Sequence, residues 1–460
     1  MSLNNFSRPA YAESFRCIGS ACEDTCCRGW SVPIDPPAYA RYQSLPAGPL
    51  RTLIDASIQL APPDASPADG FGKAGFAKFR MNGQNQCPLL TADRLCSIQA
   101  ECGEGFLSST CATYPRIVHS FGSFELKALA LSCPEAARLV LLNPDLSVPA
   151  EEHSIAVEPG DAPRLPLDFW PIREAALKLV RNRAYPLWQR MFLLGILCRR
   201  LDAIASDGIQ RGAPAFLSNF EATVAAGALK RTMESQPTDR AAQLDAVLRL
   251  AGLMLHRSNV TERFGACIHA FTTGIGNGPG ATLESLAAHY KFAHDRYYAP
   301  FFARHAHILE NYLINTMIRC QFPFGREAMK EGASPSMTRE FVQLSAQFTL
   351  MKGLLIGVAG FHREGFSTEH VVHTAQAAAK HFDHHPEFPA LARQLLAESG
   401  LDGVRGMAIL FRNTEPAAAR RAFPQRSAPG PRGGKVVLPQ SVQAISGSRP
   451  PELPSRQPDA

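Results

Sequence analysis

The sequence predicts a mainly α-helical protein: a cysteine-rich, metal-binding N-terminal region with a short β-hairpin, then a helical bundle, then a disordered C-terminal tail. Three observations carry this expectation. Nine of the twelve cysteines lie between Cys17 and Cys133. From about residue 168 to 412 apolar residues recur at three-to-four spacing, the helical period. Beyond that point Pro, Arg, Ser and Gly dominate (PQRSAPGPRGGK, SGSRPPELPSRQP), a composition that cannot bury enough apolar surface to fold. The expected divisions are residues 1–145, 146–412 and 413–460.

Within the first region, PPAYARYQSL and IDASIQLA read as short helices broken at Pro46 and Gly48. PADGFGKAGFAKF is loop-like, interrupted by Gly70, Gly72 and Gly75. RIVHSFGSFELKALAL reads as two strands around Phe121, Gly122 and Ser123, a hairpin. In the second region REAALKLVRN, FLLGILCRRLDAIA, AQLDAVLRLAGLMLH, ESLAAHYKFAHDRYY, HILENYLINTMIRC and FVQLSAQFTLMKGLLIGVAG are helical. Eight to ten helices are expected in all, separated by Pro186, Gly208, the glycines of 274–280, Pro323 and Pro335.

Charge and composition exclude several classes. Apolar content of 45% and charged content of 19% are those of an ordinary globular chain. The formal charge is +6, but residues 412–460 alone carry eight Lys/Arg against three Asp/Glu, so no nucleic-acid-binding face is expected. MSLNNFSRPAYAESFR lacks the apolar core of a secretory signal, and no run of about eighteen apolar residues appears. The densest apolar stretch, residues 191–197, is far too short, so the expectation is a cytoplasmic protein with no membrane partner.

A reducing compartment disfavours disulfides and favours metal or catalysis for clustered cysteines. The spacing is C-x4-C-x3-C-C at Cys17, Cys22, Cys26 and Cys27, followed by Cys87, Cys96, Cys102, Cys111 and Cys133. Thiolates so placed suit zinc or iron–sulfur ligation, both of which take four thiolates tetrahedrally. Cys26 and Cys27 are adjacent and cannot point the same way. The radical S-adenosylmethionine spacing C-x3-C-x2-C fails, because its third position is Gly29. GIGNGPG at 274–280 follows helical sequence, not a strand, and reads as a helix–helix connection, not a dinucleotide loop. Cys198, Cys267 and Cys320 stand singly in apolar surroundings and read as core. His370, His373, His381 and His384 form a stripe opposite Val371, Val372, Ala375, Ala379 and Phe382, and read as a solvated or interface surface.

Four blocks carry a resemblance. FRCIGSACEDTCCRGWSVPID, CPLLTADRLCSIQAECGEGFLSSTCATYPR, LALSCPEAARLVLL and HILENYLINTMIRCQFPFG resemble, in order, the flagellin lysine N-methylase family across roughly residues 15–325. The first blocks also resemble a broader group of CxxxCxxCC proteins that chelate zinc or iron. The resemblance implies S-adenosylmethionine-dependent methylation of lysine ε-amines on flagellin. It also implies a [4Fe-4S] cluster, with zinc as the alternative, bound among Cys17, Cys22, Cys26, Cys27, Cys87, Cys96, Cys111 and Cys133. Cys102 stands outside the pattern. Among polar residues of the matching blocks, Glu310 and Tyr312 are expected to handle the lysine amine. Arg116, beside Tyr114, is expected to meet the carboxylate of the cofactor. The competing readings are a non-catalytic zinc- or iron-chelating module and a redox carrier.

Overall fold

A computed structural model describes residues 10–62, 76–121, 124–146, 169–206, 213–255, 260–325, 336–383, 385 and 387–413. The expected disordered tail, the 67–75 loop, the hairpin turn at Gly122 and Ser123, the breakers Gly208 and Pro335, and His384 lie outside them.

In chain order the elements are α1 (Ala10–Glu13), β1 (Pro33–Ile34), α2 (Pro36–Gln43), α3 (Pro49–Ser57), β2 (Ile58–Leu60), β3 (Ala77–Phe79), α4 (Ser97–Cys102), α5 (Ser109–Thr113), β4 (Arg116–Phe121), β5 (Phe124–Leu129) and α6 (Pro134–Leu141). There follow α7 (Phe169–Val180), α8 (Leu187–Ser206), α9 (Ala213–Ala225), α10 (Lys230–Glu234), α11 (Arg240–Leu255), α12 (Glu262–Gly274), α13 (Leu283–Ala293) and α14 (Ala299–Arg304). The last are α15 (His307–Arg319), α16 (Met337–His362), α17 (Thr368–Phe382), α18 (Phe388–Glu398) and α19 (Val404–Phe411). The expected mainly helical class with an N-terminal hairpin is observed. Among the described residues, thirteen helices lie between residues 169 and 411 where periodicity predicts eight to ten. The surplus includes α10 and α14, whose five and six residues are too short for a period to register.

The chain forms two compact units. The first comprises Met1–Leu165, His307–Gln321 and Ala379–Pro386; the second comprises Pro166–Ala306, Phe322–Ala378 and Glu387–Ala460.

In the first unit, α2 starts where Asp35 accepts from Ala38 N at 2.9 Å and Pro36 supplies a pre-set φ. A three-stranded sheet, order β1-β3-β2, is an element the periodicity missed, since its strands are only two or three residues long. The expected hairpin is present, paired from Arg116 opposite Leu129 to Phe121 opposite Phe124. Val32, Ile34, Tyr42, Ile54, Phe79, Leu89 and Ile98 form the core beneath the cysteine segments. Helix α15 is buried along its whole length, and two asparagines one turn apart use it as a brace. Asn315 Nδ2 donates to Leu129 O at 2.9 Å, while its Oδ1 accepts from Leu129 N at 3.1 Å and Tyr11 Oη at 2.9 Å. Asn311 Nδ2 donates to Val140 O at 2.9 Å and Asn143 O at 2.7 Å, satisfying carbonyls at the end of α6.

In the second unit α16 is the central helix. It is the one helix among the described residues long and apolar enough to cross a membrane, a length the sequence reading had not credited. Its most apolar stretch is 89% buried inside the protein, as in a core helix. α12 crosses α16 at glycines: a Cβ on Gly274 would sit 1.8 Å from Gly357 O, and one on Gly360 2.5 Å from Gly274 O. The GIGNGPG segment therefore ends α12 and leads to α13, which Thr282 and Ser285 open with a capping box. Within α16, buried Lys352 donates to Phe411 O at 2.6 Å and pairs with Asn413. Burial, then the charge of Arg240, holds its pKa well below the usual lysine range.

The histidine stripe is not a solvated surface. His381 and His385 are buried, and the His370 ring stacks on that of His362 at 3.6 Å. Cys198 and Cys267 are buried as expected, whereas Cys320 is only half-buried.

Candidate functional site

The cysteine segments of the first unit are zipped together by their backbones. Cys87 N donates to Cys27 O at 2.8 Å and Gly29 N to Asn85 O at 3.0 Å, joining the CEDTCC loop to CPLL. Ser97 N returns to Leu89 O at 2.8 Å, which sets Cys96 at the N-terminus of α4. Cys111 sits in α5, whose first turn is capped by Ser108 and tied down by Asp35 Oδ2, which accepts from Ser109 N at 2.7 Å. Burial alone would raise the Asp35 pKa, but the N–H groups of Ser109 and Ala38 outweigh it and hold it below the usual carboxylate range. Cys133 immediately precedes α6.

These segments enclose a cavity of about 70 Å³ lined by Cys26, Cys27, Cys87, Cys96 and Cys111, with Trp30, Tyr42 and Tyr114 among its other walls. At ~30 Å³ per water it has room for about two. Tyr114 stacks near Trp30 at 5.7 Å between ring centres and shares a 3.2 Å hydrogen bond with Ser132 Oγ. The Tyr42 hydroxyl is buried in this wall with no hydrogen-bond partner.

The thiols sense one another. Burial, and then Cys111, Cys96 and Cys26, push Cys87 up to about 12. Burial pushes Cys111 up to about 11 despite the Ser108 hydroxyl, with Cys96 and Cys26 adding to it. Cys96 is raised by burial and, more weakly, by Cys26. Cys26 is raised by the adjacent Cys27 thiol and then by burial. Cys133 is pushed up to about 12 by burial, with Cys22 and Cys26 as its thiol neighbours.

Of the eight expected ligands, five line the cavity. Cys133 lies outside the lining, with Cys22 and Cys26 as its thiol neighbours, and Cys22 Sγ donates to Asp24 O at 3.0 Å. Cys17 is exposed and its sulfur accepts from Gly19 N at 3.4 Å. Among the described residues no three His, Cys, Asp or Glu side chains are already drawn together as a metal site. The donor set nevertheless fits a thiophilic metal in kind and number: five thiols around one small cavity.

The expected catalytic residues lie elsewhere in the unit and do not line this cavity. Arg116 donates to Phe15 O at 3.0 Å and lies 5.1 Å over its ring. Glu310 and Tyr312 are buried on α15, and the Tyr312 hydroxyl has no hydrogen-bond partner. Burial raises the Tyr312 pKa, against the opposing charge of Arg319. Asn311, adjacent to both, is spent on α6. Three ion pairs escaped the sequence reading: Arg319 with Asp383 at 2.7 Å, Lys380 with Asp24 at 2.8 Å, and Arg138 with Glu23. Their partners are up to 356 positions apart, and no local spacing announces them.

A family model described as the FliB lysine N-methylase C-terminal domain matches residues 173–410, just over half the chain. The chain is 32% identical over 150 residues to the flagellar biosynthetic protein FliU of Salmonella muenchen, covering 33% of this chain and 85% of that protein. It is 32% identical over 160 residues to lysine-N-methylases of Salmonella typhimurium LT2 and Salmonella choleraesuis SC-B67. These matches cover 35% of this chain but only 38% of those methylases. No solved structure matches. With the family match extending through α7 to α19 and independent relatives of the same name, the chain belongs to the FliB lysine N-methylase family.

Proposed function

We propose that this protein is a lysine N-methyltransferase acting on a protein, and specifically that it methylates flagellin from S-adenosylmethionine. The family match over residues 173–410 carries this reading, supported by relatives named lysine-N-methylase and by one named for flagellar biosynthesis. S-adenosylmethionine supplies an electrophilic methyl group on a sulfonium. A lysine amine is an ammonium at neutral pH, with a pKa of about 10.4, and must lose a proton before it can attack. Glu310 is the group proposed to accept that proton, in a setting dry enough to favour the neutral amine. Tyr312, whose hydroxyl is unpartnered, is proposed to orient the amine. The amine then forms its N–C bond as the S–CH3 bond breaks, with the electron pair leaving on sulfur. Arg116 spends one donor on Phe15 O; its other N–H groups are proposed for the cofactor carboxylate.

The cysteine cavity is proposed to hold a metal centre through Cys26, Cys87, Cys96 and Cys111, as a [4Fe-4S] cluster or zinc. Either group requires the thiols to draw together, since no three of them already form a metal site among the described residues. Visible absorption of the anaerobically purified protein separates the two.

The deciding experiment is methyl incorporation into purified flagellin from labelled S-adenosylmethionine. Incorporation is expected with the wild-type chain and its loss with Glu310→Gln and Cys26→Ala. No incorporation by folded, metal-loaded protein would sink the methylase reading; full activity of Glu310→Gln would remove only the assignment of the base.

A further inference from the structure

Glu23, Asp24 and Thr25 separate Cys22 from Cys26, and the structure grips them from two sides. Lys380, near the end of α17, sets its ammonium 2.8 Å from Asp24 Oδ2 and donates to Thr25 O at 3.1 Å. The two side chains are 7% and 14% exposed, so this pair is largely out of water. Glu23 in turn pairs with Arg138 of α6, which also holds Glu135 at 3.0 Å. An exposed ion pair would contribute little to holding a loop, but removing one partner of a buried pair leaves an uncompensated charge and is strongly disruptive. Lys380 also binds both a side chain and a backbone carbonyl of consecutive residues, which fixes position and orientation together. The residue after Thr25 is Cys26, which lines the same cavity as Cys87, Cys96 and Cys111.

We propose that Lys380 is a positioning residue for the cysteine centre: through Asp24 and the Thr25 carbonyl it delivers Cys26 to the wall of the cavity that Cys87, Cys96 and Cys111 also line. This rests on the reading of that cavity as a metal centre. The hydrogen bonds of Lys380 go to Asp24 and Thr25 of the loop, which is where it acts. Residues that orient metal ligands in this way commonly change metal affinity about 10- to 100-fold when removed.

The test uses the full chain and Zn2+ alone as probe, with affinity read by competition against a chromophoric chelator under anaerobic conditions. Amide hydrogen exchange over residues 22–27 and the urea unfolding midpoint are read alongside. Lys380→Met is expected to weaken Zn2+ binding about 10- to 100-fold and to speed exchange over 22–27. Lys380→Arg, which keeps the charge and the reach, is expected to restore both. Lys178→Met, which breaks an exposed pair with Glu221, is expected to change neither. If Lys380→Met does not fold, Asp24→Asn removes the acceptor and is read identically. Wild-type Zn2+ affinity in both Lys380→Met and Asp24→Asn overturns the proposal. A wild-type chain that takes up no metal overturns the metal reading instead, and exchange over 22–27 then decides the clamp: unchanged exchange in Lys380→Met refutes it.

Discussion

Replacing Asn315 with alanine tests whether α15 is the brace of the first unit. Asn315 is fully buried and serves three partners: Leu129 N, Leu129 O and Tyr11 Oη. Alanine leaves all three without a partner where water does not reach. A buried polar group stripped of its partner costs about 1–3 kcal/mol. The two backbone groups cannot turn away, whereas the tyrosine hydroxyl can rotate. The expected loss is therefore about 3–5 kcal/mol, most of it from Leu129. Urea unfolding followed by circular dichroism measures it through the midpoint at constant slope. Tyr11→Phe is the internal control, since it removes one partner and leaves Asn315 bonded to the strand; it is expected to cost about 1 kcal/mol. The two substitutions should be non-additive, because the second has nothing left to remove. A loss below about 1 kcal/mol for Asn315→Ala would refute the bracing role, since even one orphaned backbone group costs that much.

Two further predictions concern the second unit. Gly274→Ala places a methyl on Gly357 O and is expected to destabilise by about 1–3 kcal/mol or more. Gly278→Ala, in the same segment but with open space around it, should not; the two unfolding midpoints compare them directly. His294 is held down at about 4 by burial, against the 2.7 Å hydrogen bond to Asp295 and with Lys352 and Arg240 opposing its charge. An unfolded chain therefore binds this proton first, near pH 6.5, and stability is full above that value and lost as pH falls towards 4. The contribution is at most about 3 kcal/mol at 1.36 kcal/mol per unit. Thermal unfolding between pH 7 and 4.5 should show the loss, and His294→Gln should flatten it.

What the sequence made legible was whatever local spacing can encode. The hairpin of β4 and β5 follows from alternation, α2 and α3 from their breakers, and the crowding of thiols in the first region from nine cysteines in close succession. The glycines of 274–280 were readable as a connection, but the reason for Gly274 lies in its crossing with Gly357, 83 positions on. That Cys26 and Cys27 both line one cavity with Cys87, Cys96 and Cys111 was not readable, because the three partners come from segments 60 to 85 positions away. Glu310, Asn311 and Tyr312 form one motif in sequence, yet Asn311 is spent on the end of α6 while Tyr312 keeps an unpartnered hydroxyl. Lys380, Arg319 and Asp383 were invisible because each takes meaning only from a distant partner. The histidine stripe misled for the same reason, since a helix enclosed on several sides has no face that periodicity can assign to solvent.

The division of the first unit into Met1–Leu165, His307–Gln321 and Ala379–Pro386 has a bearing on the order in which the protein is made. A ribosome releases every cavity thiol before it has polymerised a third of the chain. Asp24, Asn143 and the end of β5 then wait for Lys380, Asn311 and Asn315 to be synthesised. The nascent N-terminal segment therefore carries its thiols without the struts that will hold them. The first unit is therefore completed only once residues 379–386 have been made, and an N-terminal fragment expressed alone would carry the cavity thiols without the frame that aims them.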